Sequence, residues 1–577
     1  MKRWLKYIKP YKKYFILGPL CMILEVIGEV SMPVFLANII NIGIAERNIG
    51  YIVISCVCMV LLAFLMMGGG IGGAYFGAKA AVNFATDLRL DVYAKVQEFS
   101  FANIDKFSTG SLITRLTNDI VQLQNFVNML LRMFLRSPGM LIGALVMAIR
   151  LNPSLSVIFM VVIPLILIIQ ALVISQAFPR FGKMQEKIDA LNANVQESLT
   201  NARVVKSFVR EGHEEEKFGR SNRNLKNATL SAIAVMLLMS PLIMLVMNAT
   251  TIVVLWFGGH QVVAGQMPVG DLTAFITYIT QILMSLMMVV MLFMNSSRAL
   301  ASAKRIREVL DEEPDLNDFH AVHKDAKIQK GEIEFRGVSF RYYKTSPDMV
   351  LDNINISIKA GETVGIIGPT GCGKTTLVSL IPRLYDADAG SVLVDGIDVK
   401  DYALKNLRQD IGMVLQKNVL FSGSIAENLH WGDDGATQEE MERYADFAQA
   451  DGFIKSFSDG YETELEQGGV NLSGGQKQRV CIARALLSKP KIIILDDSTS
   501  AVDTATETKI RDAFANQLKD ATKLIIAQRI SSVCDADKII VMDDGKVCGV
   551  GTHEELLASN EAYQEIYYSQ NEKEVEA

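Results

Sequence analysis

Six long apolar stretches in the first half of the chain constrain its fold more than any other feature. Each is close to the roughly 20 residues that an α-helix needs to cross a bilayer. Because a segment in lipid must satisfy its own backbone hydrogen bonds, we expect six transmembrane helices. The stretches lie near residues 14–37, 51–76, 133–150, 156–178, 232–258 and 272–295 of the 577-residue sequence.

The polar connections between these stretches indicate how the chain is oriented. Connections 82–130 and 180–230 are long and rich in charged residues, whereas the other three are short and nearly free of Lys and Arg. By the positive-inside tendency, the long connections and both termini face the cytosol. We therefore expect a multi-pass protein of the cell membrane, in contact with lipid, whose helices continue beyond the bilayer and turn back at short tips.

Hydropathy falls after about residue 300, and the remaining sequence reads like a soluble enzyme. We expect a transmembrane domain over 1–310, a polar linker over 311–330 and a second domain over 331–577 with a short acidic tail. Alternating β-branched and helical segments in the second domain are typical of an α/β fold. The net charge of −6 gives no reason to expect binding to nucleic acid. The seven scattered cysteines are interpreted as reduced thiols.

The sequence from Gly368 to Thr375 matches the phosphate-loop pattern GxxxxGK[ST]. An apolar strand pattern at Thr363–Ile367 precedes it and a helical segment follows, which is the context that this motif requires. Its glycines let backbone N–H groups point at phosphates, while Lys374 adds a positive charge and Thr375 a hydroxyl for Mg²⁺. The alternative is a glycine-rich turn without a ligand.

A second motif, Lys491 to Asp496, is a buried-strand pattern that ends in a carboxylate. A carboxylate in this place holds Mg²⁺ in phosphate-loop nucleotide hydrolases. Many strands end in aspartate, so the motif gains its weight from following the phosphate loop in the expected order. Together, the two motifs predict a site for ATP and Mg²⁺.

Between these motifs, Leu472 to Arg479 reads LSGGQKQR, in which a serine and two glycines open a helix and form a second anion nest. Combined with the two nucleotide motifs, this segment resembles the signature of ATP-binding-cassette proteins. In that family, the signature of one domain closes over ATP held by the other. The resemblance assigns this role to Ser473, Gly474, Gly475 and Gln476.

The resemblance covers essentially the whole chain and implies further roles. Tyr342 matches the aromatic residue that stacks on adenine, Gln416 matches a glutamine that touches Mg²⁺, and Asp503 lies in the loop that crosses the dimer interface. Segments near 107–119 and 206–216 look like the two coupling loops of the exporter type, in which six long transmembrane helices precede an α/β phosphate-loop domain. The implied Mg²⁺ ligands are Thr375, Gln416 and Asp496. The implied ATP-binding residues are Tyr342, Gly368, Thr370, Gly371, Cys372, Gly373, Lys374, Thr375, Thr376, Gln416 and Asp496.

Two positions depart from the family pattern. The glutamate that usually follows the Mg²⁺-binding aspartate and polarises the attacking water is replaced by Asp497, whose side chain is one methylene shorter. The usual switch histidine is replaced by Gln528, which forms hydrogen bonds but cannot take up a proton and become positively charged near neutral pH. We expect ATP binding to persist at this site and hydrolysis to be slower by about 10²-fold or more.

An intact signature in a chain with an impaired catalytic site favours a heterodimer. The signature would complete a competent site on a second, similar chain that has its own glutamate and histidine. The alternative is a homodimeric exporter in which Asp497 suffices. The half-transporter layout resembles bacterial exporters, and the resemblance implies ATP-driven export by alternating access.

The cargo remains open between several classes. Glu25 and Glu29 lie four residues apart on the first transmembrane helix, hence on one face, where ionisable residues suggest a function. They favour an amphipathic, cationic small molecule, as in multidrug export, or they line a water-filled cavity or pair with a basic residue of the partner chain. Lipid or peptide export is an alternative. An ATP-gated regulatory or channel-like protein is the alternative from another class.

Overall fold

The computed structural model describes residues 3–319, 321–344, 346–497 and 504–575. The described chain divides into two compact units. The first comprises Met1–Val96 and Gly110–Asp311, and the second comprises Gln97–Thr109 and Glu312–Ala577. The second unit therefore includes a short segment, Gln97–Thr109, that the sequence assigns to the transmembrane domain.

Helices account for nearly all of the chain before residue 312. A π-helical segment at Ile39–Ile44 continues the helix that ends at Asn38. Another, at Arg115–Asp119, joins the helix that ends at Thr114 to the helix that begins at Ile120. In the part of the chain that the structure describes, these helices are α1 (Leu5–Ile8), α2 (Lys12–Asn38), α3 (Ile49–Gln97), α4 (Phe101–Phe107), α5 (Thr109–Thr114), α6 (Ile120–Met133), α7 (Arg136–Leu151), α8 (Pro153–Ser156), α9 (Ile158–Thr200), α10 (Ala202–Ser207), α11 (Glu211–Leu237), α12 (Met239–Val263) and α13 (Val269–Asp311).

Six helical runs in the described residues are long and apolar enough to cross a membrane, which confirms the six predicted spans. The α3 helix has 49 residues. At a rise of 1.5 Å per residue it is about 73 Å long, more than twice the hydrocarbon thickness of a bilayer. The runs are Leu5–Ile44, Ile49–Gln97, Thr109–Leu151, Pro153–Thr200, Glu211–Val263 and Val269–Val290.

Glycines allow α3 to pack closely on α2. At Gly69, an added Cβ atom would lie 2.9 Å from the carbonyl oxygen of Cys21 and 3.3 Å from the backbone nitrogen of Glu25. At the neighbouring Gly68, an added Cβ would meet nothing within 4 Å. Small residues commonly let membrane helices approach in this way. The side of α3 that carries Gly69 therefore faces the backbone of α2.

The second unit is an α/β domain, as the sequence predicts. Its strands in the described residues are β1 (Ile333–Phe340), β2 (Leu351–Ile358), β3 (Thr363–Ile367), β4 (Ala389–Val394), β5 (Ile397–Asp398), β6 (Ile411–Val414), β7 (Gly423–Ser424), β8 (Glu464–Leu465), β9 (Ile492–Asp496), β10 (Thr522–Ile526), β11 (Lys538–Asp543) and β12 (Lys546–Gly551). Its helices after residue 311 are α14 (Lys374–Ser379), α15 (Leu404–Gln409), α16 (Ile425–His430), α17 (Gln438–Phe447), α18 (Asp451–Ser456), α19 (Gly474–Leu487), α20 (Thr504–Gln517), α21 (His553–Ser559) and α22 (Glu561–Val575).

The central sheet brings the sequence motifs to one edge. Its described strands lie in the order β12-β11-β3-β10-β9-β6, and all neighbours are parallel except β11 and β12. Ile366 in β3 and Ile494 in β9 are fully buried, as expected for strands covered on both faces. Because ligands bind where the carboxyl ends of parallel strands meet, the loops after β3, β9 and β10 form a candidate site.

Replacing Gly69 by alanine should lower the melting temperature of the purified protein, because the new methyl group meets the Cys21 carbonyl. Overpacking of this kind costs about 1–3 kcal/mol. The matched control is Gly68→Ala, which has open space and should be neutral or stabilising, since alanine favours a helix. Thermal unfolding in detergent, followed by intrinsic fluorescence, measures both variants. Equal melting temperatures would contradict the close packing of α2 on α3.

Candidate functional site

The phosphate-loop motif lies between β3 and α14, in the strand–loop–helix context that the sequence predicts. Gly368, Gly371 and Gly373 have φ angles of 155°, 89° and 97°, which favour glycine over other residues. At Gly373, an added Cβ would also lie 2.9 Å from the Val350 carbonyl oxygen. A residue with a Cβ atom would therefore be strained at these positions. Backbone atoms line the exposed side of the loop.

The ammonium group of Lys374 lies over this loop. Its Nζ donates hydrogen bonds of 2.7 Å to the carbonyl oxygens of Gly368 and Pro369. These bonds hold a positive charge beside the backbone amides that the motif offers to phosphate. Thr370 and Gly371 are exposed at the tip of the loop, whereas Cys372 is buried.

Asp496 ends β9 and faces the phosphate loop. Its Oδ1 accepts a 3.1 Å hydrogen bond from the Thr375 hydroxyl, while its Oδ2 is buried and has no hydrogen-bond partner among the residues that the structure describes. Burial raises the pKa of Asp496, and the neighbouring Asp497 raises it further. A buried carboxylate oxygen without a partner, next to a hydroxyl, fits a hard cation such as Mg²⁺, which prefers few protein oxygens plus phosphate oxygens.

The two residues that depart from the family pattern contact each other. Gln528 Nε2 donates a 2.8 Å hydrogen bond to Asp497 Oδ2, and Gln416 Nε2 lies 3.4 Å from the same oxygen. The backbone N–H of Asp497 donates to the Ile526 carbonyl, and its φ angle is 48°, a conformation that aspartate tolerates better than most residues. The short carboxylate is therefore directed toward two amide groups.

Tyr342 lies two residues beyond the end of β1 and is 41% exposed. Its hydroxyl shares a 2.8 Å hydrogen bond with Thr376 Oγ1, which places the ring beside the helix that follows the phosphate loop. The rings of Phe340 and Tyr385 meet it edge-on, with centroids 5.0 and 5.2 Å away. This packing orients an exposed aromatic ring, a suitable platform for a planar base.

The signature segment forms a helix start, as the sequence predicts. Ser473 caps α19: its hydroxyl accepts from the Gln476 N–H, and the Gln476 side chain accepts from the Ser473 N–H in return. Ser473 and Gly474 are exposed. Their polar groups are therefore available to a ligand from outside the domain. Asp503, expected in the interface loop, lies outside the described residues.

Comparisons with known proteins agree with this arrangement. Residues 15–286 match the model of the ABC transporter transmembrane region, and residues 351–500 match the ABC transporter model. The "Uncharacterized ABC transporter ATP-binding protein YfiB" of Bacillus subtilis is 38% identical to this chain, over 99% of this chain and 98% of that protein. The chain belongs to the ABC transporter family.

Two further relatives add detail to this assignment. The "ATP-dependent lipid A-core flippase" of Syntrophus aciditrophicus is 31% identical, over 99% of this chain and 94% of that protein. A solved bacterial Atm1-family ABC exporter with ATP bound is similar in structure, with a TM-score of 0.79 and 25% identity over 97% of this chain and 98% of that chain. This chain is an ABC exporter half-transporter, with a transmembrane domain followed by a nucleotide-binding domain.

A short helix contacts Tyr385, the residue whose ring packs against Tyr342. The helix α4, at Phe101–Phe107, precedes most of the segment 107–119 expected to form the first coupling loop. Tyr385 donates a 3.2 Å hydrogen bond to Asp105, and its ring centroid is 6.1 Å from that of Phe101. Burial and the Asp105 carboxylate raise the pKa of Tyr385. The same Tyr385 packs against Tyr342, a contact that pattern reasoning on separate motifs does not reveal.

Polar contacts hold α4 in place within the second unit. Lys106 Nζ lies 2.8 Å from both carboxylate oxygens of Glu312, and the Asn103 amide donates to Glu312 at 3.1 Å. Ser100 caps the start of the helix through a capping box with Asn103. The residues that follow the last transmembrane helix therefore anchor this short helix.

In the transmembrane unit, Glu25 and Glu29 share a basic partner from the same chain. Arg136, at the start of α7, lies 3.1 Å from Glu25 Oε1 and 3.2 Å from Glu29 Oε2. The three side chains are between 19% and 32% exposed. Two carboxylates and one guanidinium leave one net negative charge, and both glutamates lie on one face of α2 as predicted.

Replacing Asp496 by asparagine should raise the melting temperature of the nucleotide-free protein near neutral pH and remove its stabilisation by Mg²⁺ and ATP. The reason is that burial desolvates the Asp496 carboxylate in the folded wild type. Burial destabilises its charged form and so raises the pKa of Asp496. The advantage of the variant should shrink as the pH falls, because the wild-type carboxyl group then takes up a proton. Thermal unfolding with and without Mg²⁺ and ATP measures both effects.

The control for this prediction is Asp520→Asn, since Asp520 is an exposed carboxylate in the turn before β10. It should leave both melting temperatures unchanged. Retention of full stabilisation by Mg²⁺ and ATP in Asp496→Asn would contradict a role for this carboxylate as a metal ligand.

Proposed function

We propose that this half-transporter is one subunit of a heterodimeric ATP-driven exporter, whose own ATP site binds nucleotide and hydrolyses it slowly. The observation that carries the proposal is the hydrogen bond between Gln528 and Asp497, the two positions that depart from the family pattern. A general base must direct a free lone pair at the attacking water. Here the Gln528 amide donates to one oxygen of the shortened Asp497 carboxylate, and this amide cannot take up or release a proton as a histidine would.

Binding of ATP has separate support in the same site. Lys374, Thr375 and Asp496 lie together at the edge of the central sheet, and the Tyr342 ring is exposed. When bound with ATP, Mg²⁺ would neutralise charge on the phosphate oxygens, with Thr375 and Asp496 as its protein ligands. Gln416, whose Nε2 lies 3.4 Å from Asp497 Oδ2, is the third ligand that the resemblance implies.

The intact signature supports a partner of a different sequence. ABC exporters of this type work as dimers. Ser473 and Gly474 are exposed at a capped helix start, suited to a phosphate from a facing domain. In a homodimer, two sites with Asp497 and Gln528 would face two intact signatures. In a heterodimer, the exposed signature groups of this chain would complete a competent ATP site on a second chain that has the glutamate and the histidine.

The proposed cycle uses ATP as a ligand that favours the closed pair of nucleotide-binding domains. Short helices of the two coupling loops, α4 and α10 in this chain, would carry that closure into the membrane helices. Hydrolysis at the competent site then resets the pair. We place the protein in the bacterial cell membrane with both termini and the nucleotide-binding domain in the cytosol, because its basic residues cluster in the long connections.

We propose an amphipathic cationic small molecule as the cargo, as in multidrug export. The support is the cluster of Glu25, Glu29 and Arg136, which carries one net negative charge within the span of the first apolar helix. An uncompensated charge in lipid is costly. The net negative charge of this partly exposed cluster therefore favours a ligand of opposite sign. Lipid export is the second candidate, favoured by the two relatives named lipid A-core flippases, at 31% and 32% identity.

Pumping is distinguished from an ATP-gated pathway by a flux measurement. Inside-out membrane vesicles that contain the chain and its partner should take up a cationic dye against a gradient only when ATP is hydrolysed. Dye equilibration opened by a non-hydrolysable ATP analogue would instead indicate a channel-like protein.

The variant Asp497→Glu/Gln528→His should restore hydrolysis to the chain reconstituted alone in lipid. We expect a steady-state ATPase rate about 10²-fold above that of the wild type, because the longer carboxylate and the histidine regain the usual positioning of water and phosphate. Lys374→Ala in the same background serves as the control for contaminating ATPase. A wild-type rate already equal to that of the variant would overturn the heterodimer proposal.

The variant Glu25→Gln/Glu29→Gln should weaken binding of ethidium, a cationic amphipathic dye, by about 10-fold, because the cluster then carries a net positive charge. Fluorescence anisotropy with the chain in lipid nanodiscs measures this binding. The matched control is Glu46→Gln, an exposed glutamate beyond the first apolar helix, which should bind normally. Unchanged ethidium binding in the double variant, with displacement of a fluorescent lipid by lipid A, would favour lipid export.

A further inference from the structure

A glutamine of the last described helix forms two hydrogen bonds with the loop that carries the switch residue. Gln570, on α22, accepts a 2.9 Å hydrogen bond from the Ile530 N–H at its Oε1. Its Nε2 donates a 2.8 Å hydrogen bond to the Gln528 carbonyl oxygen. A glutamine amide suits this position because it offers a donor and an acceptor side by side. The two bonds satisfy two backbone groups of the loop after β10.

The helix that carries Gln570 is itself firmly placed. Tyr563 is fully buried, and its hydroxyl lies 2.7 Å from Nδ1 of His553 in α21. Tyr563 belongs to the same apolar cluster as Ala527, which precedes Gln528, and Ile530, which lies two residues after it. Ile367, the last residue before the phosphate loop, is also a member of this cluster. Gln570 therefore projects from a rigid support, and the loop is fixed relative to it.

The same switch residue is held at its other end. While its carbonyl oxygen accepts from Gln570, the Gln528 side chain donates to Asp497. The position of the backbone at residue 528 decides how far this side chain reaches. A second contact, from Arg511 to the Ser531 carbonyl at 2.8 Å, supports the loop three residues after Gln528.

We propose that Gln570 is a positioning residue for the switch: its two hydrogen bonds set the reach of residue 528 into the ATP site. The C-terminal helix thereby influences hydrolysis without touching nucleotide. The inference rests on the proposed role of residue 528 in the ATP site.

The test compares Gln570→Leu with Gln564→Leu, a matched control on the same helix. Among the contacts described, the Gln564 side chain donates a 2.8 Å hydrogen bond to the Leu557 carbonyl and none to the loop after β10. Both changes are made in the full chain, in the wild type and in the active Asp497→Glu/Gln528→His background. The readouts are kcat and KM for ATP, single-turnover rates, and hydrogen–deuterium exchange at the Ile530 amide.

We expect Gln570→Leu to lower kcat about 10-fold with KM for ATP within about twofold, because misplacement of a positioned group affects the chemical step more than binding. Exchange at Ile530 should become faster, since its N–H loses its acceptor. Gln564→Leu should change neither quantity. Equal losses in both variants would show mere destabilisation of α22 and overturn the inference.

Failure of the inference and failure of the proposed function have different signatures. Faster exchange at Ile530 with unchanged kcat would overturn the positioning role. If the Asp497→Glu/Gln528→His chain is no faster than the wild type, the proposal of a degenerate site fails. The positioning role of Gln570 is then tested by the single-turnover rates of the wild type, Gln570→Leu and Gln564→Leu. Only Gln570→Leu should be slower.

Discussion

The parallel pairing of β3, β10 and β9 is the constraint on which the nucleotide site depends. These strands place three loops at one edge of the sheet, so that the phosphate loop meets a carboxylate and the switch residue that lie more than 100 residues further along the chain. The hydrogen bond from Thr375 to Asp496 marks the point where the loops meet. The buried Oδ2 of Asp496, which has no hydrogen-bond partner in the described part of the chain, is costly to desolvate and supports the proposed role of this carboxylate as a metal ligand.

The departures from the family pattern form one local unit. Asp497 and Gln528 are hydrogen-bonded, and Gln570 fixes the backbone of the second. In the function proposed above, the shortened carboxylate and the glutamine keep their contact with each other but position the attacking water less well than the usual glutamate and histidine. This combination suits a site that retains ATP and lets a second site perform the hydrolysis. The exposed signature at Ser473 is the part of the chain that would serve that second site.

Much of this architecture is predictable from the sequence because its signals are local. The six spans, the strand before Gly368, the strand that ends at Asp496 and the helix that starts after Ser473 all follow from short-range patterns, and the structure confirms them as elements. The phosphate loop needs glycine for its φ angles, and that requirement is visible in the sequence.

The rest depends on contacts between distant residues, which periodicity does not encode. Arg136 pairs with Glu25 and Glu29 from more than 100 positions away. Asp105 reaches Tyr385 because a short helix that precedes most of the expected coupling segment joins the second unit. Gln570 is one of several glutamines on the chain, and only the fold brings it to the switch. In each case the residue type is ordinary and the tertiary neighbour gives it meaning.

The most direct test of a site that binds ATP without turning it over is a single-turnover experiment on the wild-type chain in lipid. A limiting amount of radiolabelled ATP is bound with Mg²⁺, excess unlabelled ATP is added, and the bound label is analysed over time. We expect most of the bound label to remain ATP until it dissociates. Conversion of the bound label to ADP before it dissociates would show that Asp497 and Gln528 support ordinary catalysis, and would contradict the account.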